Sequence, residues 1–290
     1  MAPAGVSFYT FGIKMMRFVP AARSPQLESS ASRPARADFY WLRLPATGLC
    51  FAVFGVTAFV LGVLVLPLLG LVHREPGRRQ RVARSVIAAS MRAFAGLMRA
   101  LRVMDYSFSG RELLGRPGQM IVANHPTLID VIFLLGFTPQ ATCIVKRALF
   151  SNVFTRGAVR AAGFIPNAPT DEMVLRAAAE LRAGQTLVIF PEGTRTVPGR
   201  ALELQRGAAN IVLRGAATLT PVYISCEPPT LSKHEPWYRI PARRARFALE
   251  VGADIDMAPY RASPLSRGSR QLNAELGRLF ESMAVRGPRP

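Results

Sequence analysis

The chain has 290 residues, 50% of them hydrophobic, and a formal charge of +19; its mean hydropathy of +0.20 is high for a purely soluble domain. Nearly all of the positive charge is arginine, since Lys14, Lys146 and Lys233 are the only lysines. Such a balance favours polyanionic surfaces, but no zinc-finger spacing, RNP string or basic zipper supports nucleic acid, and an uncharged apolar segment turns the reading toward a membrane.

Residues 1–40 are rich in Ala, Pro, Ser and Arg without sustained periodicity, which predicts a disordered basic tail; Met15 or Met16 is an alternative start. Leu44 to Val72 then runs 29 residues without a charge, long enough to cross a bilayer and lacking the short h-region and small-residue cleavage site of a signal peptide. Gly55, Gly62 and Pro67 interrupt it, so a re-entrant or hairpin anchor stays open, as does a buried core helix. Arg33, Arg36 and Arg43 precede the segment, and Arg74, Arg78, Arg79, Arg81, Arg84 and Arg92 follow it. That asymmetry predicts a cytoplasmic C-terminal domain. Val82 to Leu101 reads as a second helix, with Arg81, Arg84, Arg92, Arg99 and Arg102 on one face and apolar residues filling much of the rest. Two readings compete: an interfacial helix with arginines among headgroups, and a helix packed on the domain with a solvated basic edge.

Beyond Leu101 strands and helices alternate. Strands are predicted at Val103–Phe108, Met120–Ala123, Thr142–Val145, Thr186–Phe190, Leu219–Ser225 and Arg246–Val251. Helices are predicted at Leu128–Leu135, Val153–Ala162, Asp171–Arg182, Leu204–Leu213 and Ser266–Met283. Thr170 is the candidate cap of the third helix, with acids in its first turn and Gly184 at its end. The alternation predicts an α/β fold, a mixed, largely parallel sheet flanked by helices. Cys50, Cys143 and Cys226 are widely spaced among apolar neighbours and suit buried small hydrophobes, with neither a disulfide framework nor a metal site.

Two strings carry the chemistry: Asn124 to Asp130 (NHPTLID) and Phe190 to Arg195 (FPEGTR). The first places His125 at the C-terminal end of a short apolar strand, where active groups of α/β sheets gather, and Asp130 about one helical turn beyond. A carboxylate on one ring nitrogen fixes the tautomer, so that the other nitrogen can take a hydroxyl proton. In the second string Gly193 allows close backbone approach and Arg195 offers a planar fork for phosphate; internal pairing of Glu192 with an arginine is the competing reading. There is no G-x-S-x-G elbow, and Cys143 lies in an apolar strand that disfavours a thiolate. Direct attack of an acceptor hydroxyl on a thioester is therefore the simpler mechanism. The three histidines (His73, His125 and His234) are scattered, so no metal ligand set is expected.

In this order and spacing the two strings resemble the glycerolipid and lysophospholipid acyltransferases, whose best-known members acylate 1-acylglycerol 3-phosphate. The resemblance covers roughly residues 103–250. It implies acyl transfer without an acyl-enzyme, with acyl-coenzyme A or acyl-carrier protein as co-substrate and no cofactor. His125 would be the base and Asp130 its orienter. Glu192, Gly193, Thr194 and Arg195 would form the acceptor site, with Lys146 as a supplementary charge. At Gly163–Asn167, where phosphate-acceptor members carry a basic residue, nothing basic appears before Arg176. Lys146 and Arg147 are the candidate substitutes, and an acceptor without phosphate, such as a lyso-amino-acid lipid, is the alternative. Thr220-Pro221-Val222 resembles a fourth block that the family uses on the acyl-donor side. Lys233, Trp237, Tyr238, Arg239, Arg243, Arg244 and Arg246 form a basic-aromatic cluster, suited to headgroups, to an acidic carrier protein or to solvent. The expected organisation is a tail (1–40), a membrane anchor (41–102) and an acyltransferase domain (103–290). The expected place is the inner membrane with the catalytic domain in the cytoplasm, and the expected partners are lipids and a lyso-lipid acceptor, with no nucleic acid. A lipid-binding protein without turnover is the rival from outside the enzymes.

Overall fold

An apolar helix opens the described structure, a computed structural model covering residues 40–168, 171–197 and 202–286 within one compact unit. The predicted tail, Tyr40 apart, and the predicted cap Thr170 lie outside the described residues. Helix α1 (Tyr40–Val60) continues through a π-helical turn (Leu61–Val65) into α2 (Leu66–Val72), giving one run of 33 residues long and apolar enough to cross a membrane. Only 17% of its most apolar window is buried, which opposes the core-helix alternative. Leu49, Val56, Val63, Leu64 and Leu71 all face outward. The π turn sits where Gly62 crosses Gly157, so closely that a methyl on Gly157 would overlap the Gly62 carbonyl.

Helix α3 (Pro76–Ala100) starts at Glu75, whose carboxylate accepts from the N–H groups of Gly77 and Arg78. Its arginine face divides between protein and solvent. Arg84 is 3% exposed; its guanidinium donates to the Ala162 carbonyl at 2.8 Å and to the Gln185 side chain. Arg92 donates to the Gly136 carbonyl at 2.7 Å. Ile87, Ala95 and Met98 pack into the core beside them. The headgroup role fails for Arg84, because a buried guanidinium must take its hydrogen bonds from the protein. Burial also lowers the pKa of Arg84, with Glu180 opposing that shift.

Seven strands follow: β1 (Met104–Ser109), β2 (Gln119–Ala123), β3 (Thr142–Lys146), β4 (Ile165–Asn167), β5 (Leu187–Ile189), β6 (Thr218–Glu227) and β7 (Ala245–Val251), in spatial order β1-β7-β6-β2-β5-β3-β4. Strands β2 to β6 run parallel; β7 is antiparallel to β6, and β1 parallel to β7. The mixed, largely parallel sheet is thus the one the alternation predicts. Sequence reading missed β4, a three-residue edge strand containing Pro166, whose absent N–H an edge tolerates.

Period-two alternation separates two cores. Ile121, Ala123, Cys143 and Val188 face α3, α4 (Asp130–Phe137) and α5 (Arg156–Ala161). Met120, Val122, Leu187 and Leu219 face α6 (Asp171–Arg182), α7 (Arg206–Gly215) and α9 (Leu265–Arg286). The short α8 (Ala258–Arg261), also missed, packs beside α9. Pro221 interrupts β6 at small cost: its carbonyl accepts from Gly252 N–H at 2.9 Å, so its missing donor points at the end of β7 and not at β2. Five parallel strands therefore deliver their C-terminal ends to one edge, where the turns after β2, β3, β5 and β6 meet.

Candidate active site

Strand β2 ends at Ala123, and Asn124 finishes the ladder with its side chain. Its carboxamide donates to the Ile224 carbonyl at 2.8 Å and accepts from Ile224 N–H at 2.7 Å, as a further strand residue would. The chain is then free to turn at His125-Pro126 while still fastened to β6.

His125 Nδ1 lies 2.9 Å from Asp130 Oδ2. Asp130 is fully buried at the first turn of α4. The same Oδ2 accepts from Thr127 N–H at 2.7 Å, and Oδ1 accepts from the Thr127 hydroxyl. Burial raises the pKa of Asp130, while the His125 and Thr127 donors oppose that shift. With the carboxylate ionised, Nδ1 carries the imidazole proton and Nε2 is the basic nitrogen. The ring keeps 19% exposure, enough for access. It stacks on Phe190, centroids 4.2 Å apart and planes 25° from parallel, which restricts the ring to one plane.

The FPEGTR turn leaves β5 and locks the first turn in place. Glu192 Oε1 accepts from His125 N–H at 2.9 Å and from the Thr196 hydroxyl at 2.8 Å. Thr196 N–H in turn donates to the His125 carbonyl at 2.7 Å. Both backbone polar groups of His125 are thereby held, the N–H by the second string and the carbonyl by the residue directly after it. Burial raises the pKa of Glu192, opposed by the same two donors. Gly193 takes φ +65 to close the turn, with Thr194 half-buried behind it. Arg195 Nη1 donates to the carbonyls of Leu231 and Ser232, both at 2.9 Å. That fastens the 228–244 loop after β6, and Leu128 N–H donates to the Leu231 carbonyl from the other side.

The sequence-predicted residues therefore meet at one edge, but with internal partners: Glu192 bonds the His125 turn and not an arginine, and Arg195 bonds backbone. Lys146 ends β3 at this edge, exposed, in register with Asn167 of β4. Thr220 stands toward the opposite end of β6, bonded to Asp254 and Gln119 beside Arg116, and is not brought to the site. Asn124, Thr127, Phe190 and Thr196 are the residues that sequence reasoning left without a role. Asn124 and Thr127 lie inside the first string, and Thr196 follows the second directly; the signal was proximity alone. Burial pushes the thiols of Cys143 and Cys226 up to about 12, so neither offers a thiolate at neutral pH. No group of acidic, His or Cys side chains suited to a metal ion occurs among the described residues. The arrangement can take a proton from a hydroxyl at Nε2 and return it to a leaving group.

Residues 105–225 match the Acyltransferase family model. Over 113 residues the chain is 33% identical to a 1-acyl-sn-glycerol-3-phosphate acyltransferase of Helicobacter pylori, covering 37% of this chain and 48% of that one. Over 199 residues it is 27% identical to the Saccharomyces cerevisiae enzyme of the same name, covering 64% and 60%. A Cocos nucifera relative of that name is 25% identical over 111 residues, 36% of each chain. The chain thus spans between about a third and three-fifths of the curated relatives it matches. The crystal structure of the 1-acyl-sn-glycerophosphate acyltransferase PlsC from Thermotoga maritima shares the fold, with a TM-score of 0.64 at 18% identity over 83% of this chain and 97% of that one.

Proposed function

We propose, from the match of residues 105–225 to the Acyltransferase family model, that this chain moves a fatty acyl group from acyl-carrier protein or acyl-coenzyme A to the free hydroxyl of a lyso-glycerophospholipid such as 1-acylglycerol 3-phosphate. The observation that carries the reading is the His125–Asp130 pair, 2.9 Å apart at the edge where the parallel strands end. His125 Nε2 takes the hydroxyl proton as the acceptor oxygen attacks the thioester carbonyl. The carbon–sulfur bond then breaks, and the imidazolium returns the proton to the departing thiolate. Asp130 orients the ring and balances its transient charge. The relatives' names favour a 1-acylglycerol 3-phosphate acceptor. Lys146 supports a phosphate: it is the register partner of Asn167, about 5 Å away on the neighbouring strand, close to where phosphate-acceptor members carry their basic residue. Gly193, Thr194 and Arg195 would shape the acceptor cleft from the β5 side, Arg195 by holding the loop after β6.

The outward-facing apolar run Tyr40–Val72 supports membrane attachment; because the folded domain packs along it from Gly48 to Gly62, helix and domain share one face of the bilayer, and the arginine excess after the run favours the anionic cytoplasmic face of the cell membrane. The alternative acceptor, a lyso-lipid without phosphate, is favoured by the lack of a basic residue on β4 itself. Membranes containing the protein, given labelled acyl-carrier protein or acyl-coenzyme A and a panel of lyso-lipids, test both beside His125→Ala. Transfer to lysophosphatidate that vanishes in the variant supports the main reading. His125-dependent transfer to another lyso-lipid alone moves the assignment to the alternative, and transfer by neither pair above the variant overturns the enzyme reading.

A further inference from the structure

The chain has two tryptophans, Trp41 and Trp237, and they stand on different elements beside the same stretch of helix. Trp41 lies in the first turn of α1, 84% exposed. Trp237 belongs to the 228–244 loop, 45% exposed, yet its indole packs 3.5 Å from where a Gly48 Cβ would lie and 5.6 Å from the Phe51 ring. From Trp41 to Gly48 the helix rises about 10 Å at about 1.5 Å per residue. Tyr238, 60% exposed, meets Trp237 edge-on, and Tyr40 meets Trp41 in the same manner. Two Trp–Tyr pairs thus gather at one end of an apolar helix. Indole and phenol combine an apolar body with a polar tip and concentrate at the boundary between hydrocarbon and water.

The loop is neither loose nor neutral. Arg195 and Leu128 N–H hold its base, and Arg43 of α1 donates to the Ala242 carbonyl near its far end. It carries Lys233, Arg239 and Arg243 against Glu235 as its one acid, with Arg244 turned to Asp105 at 3.4 Å, and that excess is the charge an anionic headgroup layer complements. Farther along the helix, Phe59 meets Phe154 in the turn after β3 at 5.8 Å. The helix therefore touches loops on both sides of β2, the strand that carries His125. Leu128, next to the histidine turn, is itself 45% exposed.

We propose that the 228–244 loop is a second membrane contact, seating Trp237 and Tyr238 in the headgroup layer of an anionic bilayer beside α1, so that the His125 edge of the sheet opens at the lipid surface. This rests on the membrane attachment of Tyr40–Val72 proposed above, and it adds a contact made by the folded domain. A basic-aromatic loop could also receive an acidic carrier protein, but its aromatic residues are continuous with the lipid-facing helix, which favours the bilayer.

Two single-tryptophan variants of the full chain separate the claims. Trp41→Phe leaves Trp237 as the sole indole reporter and Trp237→Phe leaves Trp41. Each is reconstituted in phosphatidylglycerol–phosphatidylcholine vesicles containing lipids brominated at shallow or deep acyl positions. The proposal expects Trp237 emission to shift blue and to be quenched more by shallow than by deep bromines, with protection from iodide. Trp41 quenched but Trp237 unquenched and open to iodide would overturn the loop contact and leave the helix anchor standing. Neither indole quenched would overturn the anchor as well. Protection of Trp237 by added acyl-carrier protein, without quenching in vesicles, would make the loop a protein-docking face and overturn the lipid assignment.

Discussion

Replacing Asp130 with asparagine should cost less than the usual fate of such a substitution, because of which oxygen receives which donor. Where an asparagine turns its amide nitrogen toward the histidine, the wrong tautomer is enforced and the rate falls by about 10⁴. Here Oδ2 is shared by His125 Nδ1 and Thr127 N–H. The backbone N–H can only donate, so the asparagine carbonyl must take that position and continue to receive Nδ1–H. Its NH2 then falls at Oδ1, opposite the Thr127 hydroxyl, which can rotate to accept. The tautomer survives and only the charge is lost. A unit charge about 4 Å from the imidazolium at an effective dielectric constant of about 20 amounts to about 4 kcal/mol, an upper bound that corresponds to about 10³ in rate. The assay is kcat/KM for lyso-lipid acylation by Asp130→Asn beside His125→Ala, with ¹⁵N-histidine NMR reporting which ring nitrogen is protonated. A loss as deep as that of His125→Ala, together with a proton on Nε2, would refute the reasoning.

Glu192→Gln keeps an oxygen for both the His125 N–H and the Thr196 hydroxyl, whereas Glu192→Ala leaves a largely buried donor unpaired; thermal unfolding in detergent should place the alanine variant lower by about 1–3 kcal/mol. Because burial raises the Glu192 pKa above its unfolded value, this residue's stabilisation is fully present below the ordinary carboxylate range and is lost as pH rises through the folded value. Glu192→Gln should therefore gain on wild type between acid and neutral pH, and the melting temperatures of the two plotted against pH will show it. Iodoacetamide at pH 8 should leave activity intact and Cys143 unlabelled until the protein is denatured, as mass spectrometry can follow; early Cys143 labelling with lost activity would reopen a thiol intermediate. Lys146→Ala should raise KM up to about fivefold for phosphate-bearing acceptors and leave a neutral lyso-lipid unaffected, and equal effects on both would remove it from the phosphate site.

The short apolar run at residues 120–123 and the uncharged run at 44–72 were legible because each depends on local pattern. So was the pairing of His125 with Asp130, since a fixed offset at a strand-to-helix turn brings them together. What escaped depends on distant partners. Arg84 reads as a headgroup arginine until Ala162 and Gln185 supply its acceptors. Arg195 reads as a phosphate fork until Leu231 and Ser232 take its hydrogens. Strand β4 is too short and too proline-bearing to announce itself without β3 beside it. Thr196 looks like an ordinary loop residue until its N–H is found on the histidine carbonyl.

The closed circuit of His125, Glu192 and Thr196 also bears on inheritance. A recombination event, or a chimaera that exchanges either string alone, would give the histidine turn a neighbour that never learned to receive its N–H and carbonyl. The two strings are one heritable piece written in two places, and Asn124 binds that piece to β6 through Ile224. Grafting this chemistry onto another parallel sheet would mean moving both turns with β2 and β5, the paired strands that carry them, not a histidine and an aspartate.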